Sequence, residues 1–109
     1  MINEQSTDAA SKITVYIDPD LAEIVPEFLE NRRRDVLSIQ TALQLNDLAT
    51  VHVLGHRMKG DGGGYGFDAI STIGEALELA ATQQDRLTIE RQTSKLNDFL
   101  TRLDVVYRR

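Results

Sequence analysis

The chain has 109 residues, enough for one domain and too few for two ordinary ones. Hydrophobic residues make up 41% and charged residues 27%, a globular balance; with few aromatics and no Trp, Leu, Ile, Val and Ala must build the core. A formal net charge of −5 opposes non-specific nucleic-acid binding, the absence of cysteine excludes disulfides and thiolate metal sites, and no apolar run approaches the roughly 20 residues that span a bilayer.

Residues 1–12 are polar, with nothing to bury and no apolar stretch of the signal-peptide kind. They read as a disordered leader, and a cytoplasmic location is expected. Residues 13–109 read as one domain. Ile13, Val15 and Ile17 alternate with Thr14 and Tyr16, but no strand partner is visible nearby. The expectation is an extended arm lying on helices. Asp18-Pro19 starts a short helix, which the later Pro26 must end. Pro26 suits the first turn of a longer helix running to about Gln44. On it Leu29, Val36 and Leu43 repeat at seven, and Phe28, Ile39 and Ala42 widen the stripe.

The basic run Arg32-Arg33-Arg34 lies between Glu30 and Asp35 and reads as a solvated face with local ion pairs. Asn46-Asp47 caps the next helix, beginning near Leu48. Gly66 marks a break, and Asp68 lies in the first turn of a segment reaching about Gln83. A last helix is expected from about Asp85 to Tyr107, with Ile89, Leu96, Leu100 and Leu103 on one face. The expected fold class is all-α: an antiparallel up-down four-helix bundle with a short additional N-terminal helix.

The stretch Leu48 to Asp68 carries the chemistry. At 100° per residue, Leu48, Val51, Leu54, Gly55 and Met58 form a buried stripe. His52, His56, Lys59, Gly60 and Gly63 occupy another face, with His56 turned about 150° from the middle of that stripe. Lys59 is one turn on from His56, and Gly60 leaves bare backbone beside the imidazole. An interior helical glycine costs about 1 kcal/mol relative to Ala, so Gly60, Gly62, Gly63 and Gly64 together need a reason. Gly62 to Gly64 either form the C-terminal turn of the helix or clear the approach of another protein to His56. Gly55 and Gly74 fall on the core stripes of adjacent helices, which suits close packing.

A neutral imidazole offers a ring-nitrogen nucleophile near neutral pH, and a neighbouring ammonium can offset phosphoryl charge. His52 reads as an exposed rim residue one turn before His56, and Val53 as a possible apolar rim. The pair His52 and His56 has the spacing of a helical zinc site. Val53 stands where a metalloprotease needs Glu, no third ligand is apparent, and Lys59 would repel a cation. No metal is expected.

His56-Arg57-Met58-Lys59-Gly60, followed by Gly66, resembles the His-x-x-Lys-Gly signature of histidine-containing phosphotransfer (HPt) domains. Ile73, Leu77 and Glu78 fit that family's apolar residues and Glu on the next helix, and the resemblance covers roughly residues 18–107. It implies that His56 is phosphorylated, that Lys59 lies near the phosphoryl group, and that Gly60 keeps the approach open. It implies a relay to and from the aspartate of response-regulator receiver domains, fed by a sensor histidine kinase or hybrid kinase. Such a module has no kinase activity or cofactor of its own, the receiver supplying Mg²⁺. A partner surface of His52, Val53 and Gly63, and a monomer forming transient complexes, complete the expectation. Asp61 departs from the small residue common in the family, but it projects roughly 140° away from His56. The alternatives are a helical interaction module that carries no phosphate, or a His52/His56 metal-binding bundle.

Overall fold

The structure is a computed structural model describing residues 11–109. The expected leader, residues 1–12, thus lies outside the described residues except for Ser11 and Lys12. Four helices dominate: α1 (Val25–Gln44), α2 (Leu48–Gly64), α3 (Asp68–Thr82) and α4 (Arg86–Arg102). Each packs on the next, and α4 returns against α1. Their inward stripes meet in one core that includes Val25, Ile39, Val51, Met58, Ile70, Leu77, Ile89 and Leu96, all fully buried.

Three connections of three residues share one construction. Asn46, Gly66 and Gln84 have positive φ of 57°, 91° and 56°. At each, the following amide closes the preceding helix: Asp47 N–H to Ala42 O (2.7 Å), Phe67 N–H to Gly62 O (2.8 Å) and Asp85 N–H to Ala80 O (2.8 Å). These are Schellman closures. The residue that closes one helix is also the N-cap of the next. Asp47 and Asp85 accept from the amides of Thr50 and Thr88 at 3.2 and 3.1 Å.

Three expectations need correction. The short N-terminal helix is only a 3-10 turn, Pro19–Leu21, capped by Asp18. Pro26 sits in the first turn of α1, which already begins at Val25, so too little chain remains after Ile17 for a separate helix. The chain is also not all-α. Ile13–Ile17 is a strand, β1, pairing in parallel with β2, Leu103–Tyr107, from Ile13 opposite Leu103 to Ile17 opposite Tyr107. The last helix therefore ends at Arg102 rather than near Tyr107. Leu103 turns extended (φ −67°, ψ 132°), and the β-branched pair Val105-Val106 continues as strand. Ile17 ends β1 fully buried against the core.

A third correction concerns Arg32. Arg33 pairs with Glu30 in solvent, as expected of a solvated face. Arg32 instead is buried, with its guanidinium 4.7 Å from the centroid of the Phe28 ring and Nε 2.8 Å from Asp35 Oδ2. Phe28 in turn stacks on Tyr65 at 4.2 Å and Phe67 at 5.8 Å. Burial pushes the Asp35 carboxyl above its ordinary value, while Arg32 pulls the other way.

Candidate functional site

The site is set by how closely α2 and α3 approach. A Cβ on Gly55 would lie 2.7 Å from the Glu78 amide nitrogen and 2.8 Å from Gly74 O. A Cβ on Gly74 would collide with the backbone of Lys59 and come within 2.7 Å of Gly55 O. Neither position has room for a side chain, so the two backbones touch. The Ser71 hydroxyl donates to the Lys59 carbonyl across the same seam. This fixes the register that brings Glu78, next after Leu77 of the α3 core stripe, alongside His56, next after Gly55.

Glu78 Oε2 lies 2.9 Å from His56 Nδ1. The hydrogen bond to His56 holds the Glu78 carboxyl below its ordinary value of 4.5, with smaller help from the charges of Lys59, His56 and His52. Glu78 is thus an ionised acceptor, and the proton of the contact sits on Nδ1. The neutral ring then carries its lone pair on Nε2. The His56 side chain is 69% exposed against 19% for Glu78, so the carboxylate is sheltered and the ring open. Lys59 Nζ is 3.5 Å from Glu78 Oε1, and His52 Nε2 is 3.7 Å from Oε2.

His56, Lys59 and His52 thus stand together, on the face opposite the core stripe. Gly60 and Gly63 are exposed, with nothing within 4 Å of a Cβ placed on either. Val53 is exposed one turn before His56. Asp61 is exposed too, but borders the far side of α2 with Arg32 and Tyr65. Gly62 behaves differently: it is buried, and a Cβ there would lie 2.5 Å from the Ser71 amide nitrogen. Of the glycine run, Gly62 is a packing residue, while Gly60, Gly63 and Gly64 border open space.

Glu78 is the residue whose role the sequence hid. Its presence on the next helix was visible, but its contact with His56 depends on the α2–α3 register. The readable signal was the glycine pair, Gly55 and Gly74, which placed that seam beside the histidine. Among the described residues no group of three or more His, Cys, Asp or Glu side chains is arranged to hold a metal ion. Among the described residues no helix is long and apolar enough to cross a membrane.

Comparison with curated proteins and with solved structures finds no significant match for the chain. The sequence profile of the Hpt domain family matches residues 23–105, which take in all four helices and the His56 face. That span covers most of the chain, and the protein belongs to the Hpt domain family.

Proposed function

We propose that this protein is a phosphocarrier in which His56 exchanges a phosphoryl group with the aspartate of response-regulator receiver domains. One observation carries the reading: an exposed imidazole whose Nδ1 lies 2.9 Å from the Glu78 carboxylate, an acceptor that favours the proton there and leaves Nε2 as the nucleophile. In the forward step the Nε2 lone pair attacks phosphorus. The P–N bond forms, the acyl P–O bond breaks, and aspartate leaves as carboxylate. The ring gains positive charge, and Glu78 offsets it from the Nδ1 side. The return step reverses each change. Lys59, now paired with Glu78 Oε1, is within reach to turn toward the phosphoryl oxygens.

Gly60, Gly63, Val53 and His52 form the surface that admits the partner, whose acidic pocket brings the Mg²⁺. The phosphoryl source is a sensor or hybrid histidine kinase. The protein acts as a monomer in transient cytoplasmic complexes and has no kinase activity of its own.

Incubation with a phosphorylated receiver tests this. The expected result is an acid-labile, base-stable label on His56 that His56→Gln abolishes. Equal labelling of parent and variant would exclude His56 as the carrier. Failure of the parent to label with any receiver would leave the bundle as an interaction module.

A further inference from the structure

We infer that His52 is a positioning residue, which on protonation competes with His56 for Glu78 and so lowers the nucleophilicity of His56. The inference rests on the phosphocarrier reading and adds a pH-responsive control to it.

Three nitrogens share one carboxylate. Glu78 Oε2 takes the His56 Nδ1–H at 2.9 Å and also faces His52 Nε2 at 3.7 Å, while Oε1 faces Lys59 Nζ at 3.5 Å. At 3.7 Å the His52 contact is too long for a hydrogen bond, so its strength depends on charge. Neutral His52 contributes little, and the single charge of Lys59 balances that of Glu78. Protonated His52 adds a second cation beside the Glu78 carboxylate, with Glu75 farther along the same groove.

That cation draws on the same oxygen that holds the His56 ring. It also sits one helical turn from the ring, where it opposes the positive charge that develops on His56 during attack. The charged and titratable neighbours of His52 are few. Glu78 and Glu75 face it from α3, and His56 and Lys59 share α2. His52, Lys59, Glu75 and Glu78 line one groove of about 310 Å³. From the connections, the uncharged Asn46 and Gln84 line a second groove with His52.

The full chain with phosphoramidate as donor tests the inference without any partner protein. The donor reacts with its nitrogen protonated: Nε2 of His56 attacks phosphorus, the P–N bond to the ring forms, the bond to the donor's –NH3⁺ nitrogen breaks, and ammonia leaves with the electron pair. Uptake is followed against pH in the parent, His52→Gln and His52→Lys, with ¹⁵N NMR of the His56 ring alongside.

Each protein is referred to its own uptake above about pH 8, where imidazoles are neutral. On that scale, and per neutral His56 counted by ¹⁵N NMR, His52→Gln should be up to roughly fourfold faster than the parent near about pH 6, the size expected of one exposed cation a few ångströms away. His52→Lys should be slow throughout. The ¹⁵N signals of the His56 ring should differ between the parent and His52→Gln near about pH 6 and coincide above about pH 8.

Parallel uptake profiles with unchanged His56 ring signals, in a parent that labels normally, would overturn the inference alone. A parent whose His56 takes no phosphoryl at any pH overturns the carrier reading, and the inference with it.

Discussion

Gly60 and Gly62 stand two residues apart on α2, and their surroundings predict opposite responses to a side chain. Nothing approaches a Cβ on Gly60, whereas a Cβ on Gly62 meets the α3 backbone at Ser71. Gly60→Gln should leave stability level or raise it by up to about 1 kcal/mol through helix propensity, while phosphoryl transfer from a receiver slows sharply. Gly62→Ala and Gly74→Ala should each lose about 1–3 kcal/mol, because the colliding atoms are backbone and cannot turn aside. Urea unfolding and a transfer assay on the same samples separate the two effects.

Glu78→Gln makes a third test at this scale. It keeps a side-chain oxygen for the Nδ1–H but removes the charge, so transfer should slow while His56 stays exposed. The helical wheel shows that His56, Lys59 and Gly60 share a face, because that depends only on spacing within one helix. The partner of His56 was not legible there, because it depends on contact between two helices.

For whole elements the same distinction holds. The α1 stripe of Phe28, Leu29, Val36, Ile39, Ala42 and Leu43 is buried throughout, and Asn46, Gly66 and Asp85 mark the three connections as their residue types suggest. Those signals are local. The strands were not legible because each looks incomplete alone: β1 has no partner nearby, and Leu103 prolongs the Leu96–Leu100 stripe of α4 as if the helix continued. The partners lie ninety positions apart, a separation no local pattern encodes. Ile17 shows that β1 is integral to the fold. Its side chain is fully buried and sits against Gly66, so Ile17→Ala should cost about 2–5 kcal/mol in urea unfolding, far more than loss of a loosely resting arm.

Across the whole molecule, acid should weaken the fold through identifiable carboxylates. Asp47 and Asp85 are held below their ordinary value of 3.8, chiefly by the hydroxyls of Thr50 and Thr88, and Glu78 below 4.5 by His56. A depressed folded-state value contributes stability above the unfolded one, which is lost as pH falls through the depressed value. Asp35 has the opposite sign: its raised value favours the protonated form, so its contribution is greatest in acid and declines as pH rises through that value. Three groups against one predict a net loss of stability between about pH 6 and about pH 3, read from urea midpoints. In Asp35→Asn the drop should be steeper, because the opposing trend is gone. Arg86 fastens the assembly at one end, donating to Asn46 Oδ1 at 2.9 Å and Leu43 O at 2.8 Å, so the start of α4 is tied to the end of α1.

The parallel strand pair also orders events in time. Bringing Ile13 beside Leu103 closes a loop of about ninety residues, an entropic cost that grows with the logarithm of loop length. The helices shorten that span before the strands meet. β1 and β2 can therefore part while the helices stay folded, at the cost of exposing Ile17, but the bundle cannot unfold and leave them joined. In native-state hydrogen exchange the strand amides should never outlast those of the helical core, and in refolding they should be the last to gain protection.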